Sequence, residues 1–459
     1  MRSLLLLVSL GLPLLTAVVA QAATGETAAA ARRLVICLDG TLNSPEQSVE
    51  ERGPYKLYKP TNVLKTFRAV EPVAADGRTQ IAYYSEGVGS FIGEPTPLSG
   101  LQKLVDNAAG GAFGVGFERG IKGAYRFLVA NYHDGDDIFV FGFSRGAAQA
   151  QGLVRFIDWA HGLLAKDDEY YIAELFDGFS HGRKVETVLD TIRRRPSSKS
   201  EISATQAKCE ETLRGGPAKP AAEAPPPGEA APNLKRIGDP RPVEVRFLGV
   251  YDTVIALGSR LAADHGEGDV ATIAPEFRFL TGKTPPAIVK TARHALSIDE
   301  KRWDFRPQVW DDSASPSIVQ VWFPGVHSNV GGGYTHDGLA NAALKWMTGE
   351  AHDAGLDLNK AYLAHYNPWV CGDRPETDKG FLKIAEFFRG KSGRGVRELP
   401  KGARLHESIA RLLVADPTYR PENLLRYLAQ DETRLDAFAG SQFLTGVKEI
   451  VAEFKRKHP

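Results

Sequence analysis

Ile138-Phe-Val-Phe-Gly142-Phe143-Ser144-Arg145-Gly146-Ala147 is the stretch on which the reading of this chain turns. Asp134-Gly135-Asp136 precedes it as a turn, and an unbroken apolar run follows, the form of a strand buried on both faces. Residues 145–159 then return to helical spacing, with Leu153, Phe156 and Ile157 on one side. A Gly-x-Ser-x-Gly by itself recurs by chance. Between a buried strand and a helix it has the context of a nucleophile elbow, where the serine adopts a strained backbone and projects its hydroxyl above the sheet. Gly142 and Gly146 let strand and helix approach closely, and Ala147, Ala148 and Ala150 extend that small face. The plainer alternative is a glycine-rich turn with Ser144 capping the helix.

Further apolar runs lie on both sides of this stretch. Residues 34–38, 79–84, 243–250 and 318–323 read as strands, and 111–132 as a helix with Phe117, Ile121, Tyr125 and Leu128 on one face. Strands alternating with helices imply an α/β fold, a doubly wound and mostly parallel sheet whose ligands sit at the strands' carboxyl ends.

A serine hydroxyl needs a base to take its proton and an acid to orient that base, in the chain order serine, acid, histidine. The run 247–251 ends on Asp252, and 319–323 leads to His327 within Gly325-Val326-His327-Ser328-Asn329, followed by three glycines. Ser144, Asp252 and His327 are the candidate catalytic residues. His294 is a rival base, placed on a helix by its surroundings, and Asp299 and Glu300 are rival acids. The backbone N–H of Arg145, at the helix start, and the turn Gly40-Thr41 can stabilise an oxyanion, with Asp39 orienting that turn. Leu38-Asp39-Gly40-Thr41 also resembles the phosphotransfer signature of haloacid-dehalogenase-like phosphatases. Their aspartate nucleophile falls here on Cys37, which forms no aspartyl phosphate, so that reading fails at its central residue.

Composition narrows the classes further. The 459 residues carry 56 Lys and Arg against 56 Asp and Glu, without a basic cluster, so nothing favours nucleic acid. Residues 1–22 read as a secretory signal peptide: Arg2, an apolar run, and the exit Ala20-Gln21-Ala22. No later segment is long and apolar enough to cross a bilayer. Cys37, Cys209 and Cys371 lack metal-ligand spacing, and one Cys209–Cys371 bridge is open in an oxidising compartment. The catalytic domain is read over 23–350, with a linker at about 196–240 whose Pro- and Ala-rich centre (214–232) cannot bury a core. Residues 351–459 read as a mostly helical extension packed on that domain, with helices at 381–388, 406–413, 423–429 and 443–455. Whether these form a lid, a membrane-contact surface or packing alone stays open.

Several long runs together resemble the α/β-hydrolase domain of the type VI secretion phospholipase effectors, their first group, and uncharacterised relatives. They are Cys37-Leu-Asp-Gly-Thr-Leu-Asn43, Thr61-Asn-Val63, Tyr83-Tyr-Ser-Glu-Gly-Val-Gly89, Gly142-Phe-Ser-Arg-Gly-Ala147, Gly249-Val-Tyr-Asp-Thr-Val254, His294-Ala-Leu-Ser-Ile-Asp-Glu300 and Phe323-Pro-Gly-Val-His-Ser-Asn-Val-Gly-Gly-Gly-Tyr334. Leu405-His-Glu-Ser408 and Tyr419-Arg-Pro421 resemble the end of that domain. The resemblance implies ester cleavage, fatty-acyl glycerophospholipids as substrate class, and Ser144 as nucleophile. One departure stands out: effectors of a contractile apparatus are not expected to carry a cleavable signal. Export to the periplasm or the outside fits these residues better than injection.

The expected chemistry is an acyl-enzyme mechanism with no metal and no organic cofactor, on a lipid or other acyl ester, with contact to a membrane surface. A soluble carboxylesterase for short acyl esters and an inactive hydrolase-like binding protein are the alternatives.

Overall fold

The computed structural model describes residues 31–458 apart from 42, 46–48, 53–54, 89–111, 195–208, 210–212, 214–236, 255–281, 303–304 and 372–395. The signal segment 1–22, the linker centre 214–232 and the expected helix 381–388 lie outside the described residues.

The strands are β1 (Arg33–Leu38), β2 (Val49–Arg52), β3 (Tyr55–Tyr58), β4 (Gln80–Ser85), β5 (Asp137–Phe143), β6 (Val245–Tyr251), β7 (Ala292–Ser297), β8 (Ile318–Phe323) and β9 (Arg404–Leu405). The helices are α1 (Asn62–Ala69), α2 (Ala112–Asn131), α3 (Arg145–Trp159), α4 (Ile172–Ser180), α5 (Val185–Arg194), α6 (His327–Gly331), α7 (Gly338–Asp353), α8 (Lys360–Leu363), α9 (Glu407–Ala415), α10 (Glu422–Gln430) and α11 (Leu444–Lys457). Seven strands form one sheet in the order β4-β1-β5-β6-β7-β8-β9, and every pairing in it is parallel. β2 and β3 make a separate antiparallel hairpin. The α/β class and parallel sheet expected from the apolar runs are therefore present.

Both faces of the sheet are covered, which is why its strands are continuously apolar rather than alternating. On one face Leu34, Ile36, Ile138 and Val140 meet Phe117, Ile121 and Leu128 of α2 and Leu153 and Phe156 of α3. On the other, Val35, Phe139, Phe141 and Phe247 meet Val63 of α1 and Ala343 and Met347 of α7. A third cluster joins Leu296, Trp322 and Leu339 to Ile409, Leu413, Leu424, Leu428 and Val447 of α9, α10 and α11. Residues 351–459 thus add the seventh strand, β9, and a layer of helices beside it.

One expectation is corrected. The segment around His294 is the strand β7, not a helix, and it pairs with β6 and β8. Its Ala and Leu residues favour a helix in isolation, but burial between two strands overrides a preference of a few tenths of a kcal/mol per residue. The helices α4 and α5 and the β2–β3 hairpin carry no such expectation. Cys37 is buried in β1, and burial pushes its thiol up, as befits a small core residue. Cys209 and Cys371 are both exposed and free, so the bridge left open above is not formed. No helix among the described residues is long and apolar enough to cross a membrane.

Candidate active site

Ser144 stands between β5 and α3 with φ 56° and ψ −122°. A non-glycine residue in that region carries on the order of 1–3 kcal/mol of strain, so the surrounding structure must enforce it. The enforcement is visible. Ser144 donates its backbone N–H to the Tyr251 carbonyl at 3.0 Å, and its own carbonyl accepts from Val254 N–H at 3.3 Å. These two bonds bracket Asp252, so the serine turn and the acid turn are tied together. The flanking glycines are obligatory. A Cβ on Gly142 would stand 2.5 Å from the Gly146 carbonyl oxygen, and one on Gly146 would stand 2.3 Å from that of Leu38.

Asp252 follows β6 with φ 41°, a left-handed position that aspartate tolerates better than most residues. His327 opens α6, four residues beyond β8. The structure brings these two together: His327 Nδ1 donates to Asp252 Oδ2 at 2.6 Å, both side chains being buried. A carboxylate only accepts, so this bond puts the ring proton on Nδ1 and leaves Nε2 as the basic nitrogen. The imidazole is packed between the Phe143 ring, 4.6 Å away, and the Phe305 ring, 4.9 Å away. Phe143 immediately precedes Ser144, which sets the histidine beside the elbow.

The carboxylate of Asp252 has two further partners. Ser297 N–H donates to Oδ1 at 2.9 Å, and Arg397 reaches both oxygens, Nη1 to Oδ1 at 2.6 Å and Nη2 to Oδ2 at 2.9 Å. Burial alone would raise the Asp252 pKa. The Arg397 charge and the His327 hydrogen bond outweigh it and hold the group well below the usual carboxylate range. Burial lowers the His327 pKa from its ordinary value, with Asp252 opposing, so the imidazole is neutral at pH 7. Sequence reasoning missed Arg397 altogether, and no motif marks it.

The rival acids hold the histidine loop instead. Asp299 accepts from Gly325 N–H at 2.6 Å and from the Tyr419 hydroxyl at 3.0 Å. Glu300 accepts from His327 N–H at 3.3 Å and forms an ion pair with Arg302 at 2.7 Å. The rival base His294 is wholly buried in β7, and its Nε2 accepts from Thr253 N–H at 3.2 Å. Burial brings its pKa down to about 4.

Asp39, at the end of β1, accepts from the Gly40 N–H at 2.7 Å, the Thr61 hydroxyl at 2.7 Å and the Tyr84 hydroxyl at 2.6 Å. Burial raises its pKa to about 6 against these three bonds. The expectation for this turn is narrowed, because the Gly40 N–H is taken by Asp39. Thr41 is the residue with a donor to offer: its Oγ1 is buried and has no partner among the described residues. Arg145 begins α3, so its N–H lies at the positive end of that helix. Arg145 as a residue is half-buried, and burial pushes its guanidinium down to about 9, which leaves it a cation at pH 7. No three His, Cys, Asp or Glu side chains among the described residues are grouped to hold a metal ion.

Comparison with known proteins gives four findings. The sequence model described as "T6SS, Phospholipase effector Tle1-like, catalytic domain" matches residues 32–350. The uncharacterized protein YEL023C of Saccharomyces cerevisiae is 25% identical over 285 residues, 60% of this chain and 32% of that protein. The chain thus spans about a third of the length of that curated relative. Among solved structures, an uncharacterized protein from Pseudomonas aeruginosa has a TM-score of 0.36 at 15% identity, covering 90% of this chain and 56% of that one. The Tle1 effector bound to the VgrG spike of the type 6 secretion system has a TM-score of 0.37 at 16% identity, covering 81% and 82%. With the family match running over most of its length, and through Ser144, Asp252 and His327, this chain belongs to the Tle1-like phospholipase effector family of the type VI secretion system.

Proposed function

We propose that this protein is a serine ester hydrolase that releases fatty acids from phospholipids through an acyl-enzyme intermediate. The observation that carries the reading is the 2.6 Å bond from His327 Nδ1 to Asp252 Oδ2, made beside the strained elbow at Ser144. Family membership supports the lipid substrate class.

In this reading His327 Nε2 takes the proton of Ser144 Oγ as that oxygen attacks the ester carbonyl. Asp252 holds the imidazole in the required tautomer and stabilises it once protonated. The N–H of Arg145 and donors of Thr41 stabilise the tetrahedral oxyanion, with Asp39 fixing the Gly40-Thr41 turn. The imidazolium then returns its proton to the leaving alcohol. Water, deprotonated by the same histidine, hydrolyses the acyl-serine to fatty acid and free enzyme. Every step uses side chains and backbone of this chain.

The reading includes export after removal of residues 1–22, a catalytic part over 23–350 and a helical extension over 351–459. The apolar run following Arg2 supports the export.

Phospholipid vesicles treated with purified protein and with its Ser144→Ala variant provide the test, with lipid products separated and weighed. Fatty acid and lysolipid are expected from the first. The variant should be slower by about 10⁴-fold or more. Equal turnover by both proteins would end the proposal. Release from short p-nitrophenyl esters but never from vesicles would replace it with a carboxylesterase. No turnover of either ester, with no fluorophosphonate adduct on Ser144, would leave a hydrolase-like binding protein.

A further inference from the structure

We infer that Arg397 is a positioning residue of the Ser144–Asp252–His327 site, one that sets the plane and the charge of the acid on which the base depends. The inference rests on the proposed reading of those three residues and extends it to a part of the chain beyond the family match at 32–350.

The geometry is that of a fork. Arg397 Nη1 and Nη2 meet Asp252 Oδ1 and Oδ2 at 2.6 and 2.9 Å, two parallel bonds that only a planar guanidinium makes. Such a pair fixes the plane of the carboxylate as well as its position. His327 Nδ1 also bonds Oδ2, so the direction of its proton is set by a carboxylate that cannot turn. The arginine is itself held. Nη1 donates to the Ser297 carbonyl at 2.7 Å and the Ser297 hydroxyl at 2.6 Å, and Nη2 to the Phe305 carbonyl. Its own carbonyl accepts from Asn423 Nδ2 at 3.0 Å, and the same amide bonds the Ile298 carbonyl at 3.1 Å. Asn423 therefore links α10 of the C-terminal layer to the end of β7, whose Ser297 bonds the acid.

The charges have a consequence for the base. Asp252 and Arg397, with side-chain exposures of 0% and 3%, form a neutral pair while His327 is neutral. An Asp252 without that partner would be a lone buried anion, and a lone anion 2.6 Å from the ring would favour imidazolium. The other groups around the ring do not supply this balance. Glu300 and Arg302, beyond β7, neutralise each other at 2.7 Å. Asp299 bonds the Gly325 N–H, and Tyr334 faces Ser328 and Arg302. Phe143 and Phe305 contribute only ring faces. Arg397 thus keeps the base unprotonated, and ready to accept a proton, at lower pH than Asp252 alone would allow.

A purely structural anchor would affect folding and leave this pH dependence in place. The experiment reads the rate at which a fluorophosphonate probe labels Ser144 as a function of pH, using the full chain and its Arg397→Met and Arg397→Lys variants. In Arg397→Met the acid limb of the profile is expected about half a pH unit or more above wild type, with a plateau at least about tenfold slower. Arg397→Lys keeps the charge and loses the fork, so its limb should stay near wild type while its plateau falls by about tenfold. A folded Arg397→Met protein with the wild-type limb overturns the inference. If that variant does not fold, Arg397→Lys decides: a slower plateau at an unmoved limb supports the inference, and a wild-type plateau overturns it. A wild-type chain that takes no label at Ser144 overturns the site reading together with the inference. A wild-type chain that labels, with an Arg397→Met limb that does not move, overturns the inference alone.

Discussion

The carboxylate of Asp39 is ionised with difficulty although three donors point at it, because burial outweighs them and raises its pKa to about 6. The raised value has a sign that can be measured. Below about pH 4 the group is protonated whether the chain is folded or not, and its contribution to stability is fully present. Between there and pH 6 the folded chain alone keeps the proton, so stability falls as pH rises, by on the order of 2–3 kcal/mol in all. Asp39→Asn removes the charge and keeps an acceptor for the Gly40 N–H. Relative to wild type, that variant should gain about 2–3 kcal/mol between pH 4 and pH 8 in urea unfolding. A difference that does not change with pH would mean that the three hydrogen bonds cancel the effect of burial, and one of opposite sign that they outweigh it. At this scale the sequence is informative where a reactive side chain directly follows an apolar strand. Ser144 and Asp252 meet that condition, and His327 follows its strand by four residues. The three come together because the carboxyl ends of parallel strands converge on one edge of the sheet. Arg397 does not meet that condition. It is one of 56 basic residues, separated from its carboxylate by 145 positions, and no spacing marks it.

Elements are legible in proportion to their length and periodicity. The apolar spacing gives α3 to the residue and α2 to within one residue at each end, because each shows an apolar face over at least four turns. β7 departs from its expected helix because its six residues are too few for a helical and an extended pattern to differ. α6 shows how a short element can still be exact. A Cβ on its Gly331 would lie 1.9 Å from the Phe143 ring, and Phe143 is the face against which His327 rests. Gly331→Ala should therefore displace that ring, slow Ser144 labelling by about tenfold or more, and lower stability by about 1–3 kcal/mol. Gly349→Ala in α7, where no atom lies within 4 Å of the added carbon, is the matched control. Equal labelling rates in the two variants would remove Phe143 from the account of how the histidine is held.

For the whole molecule, the match at 32–350 and the physical unit do not end at the same place. The sheet continues into β9, and the Leu296, Ile298 and Trp322 side chains are covered by α9, α10 and α11. A chain cut after residue 350 would uncover that apolar cluster and leave Asp252 without its arginine. Removing one partner of a buried ion pair costs about 3–5 kcal/mol, and an exposed patch of that kind promotes association. The truncated chain is expected to be insoluble or, if soluble, to label at Ser144 at least about tenfold more slowly. Soluble yield and labelling rate together check this, and a soluble fragment with the wild-type rate would contradict it. The parallel sheet is legible in the amino-acid pattern because a fully covered sheet requires long apolar runs, such as those of β1, β5, β6 and β8. The attachment of the C-terminal layer is not, because it depends on side chains meeting across a long stretch of chain rather than on a local pattern.

The dihedral angles of Ser144 also bear on descent. At φ 56° and ψ −122° the backbone would be more relaxed with glycine, so each generation that keeps serine there forgoes a small gain in stability. Neutral drift runs downhill toward glycine, and only a use for the hydroxyl holds the position against it. On the proposed mechanism, a glycine at the elbow of a relative of this chain would therefore mark a lineage released from that chemistry.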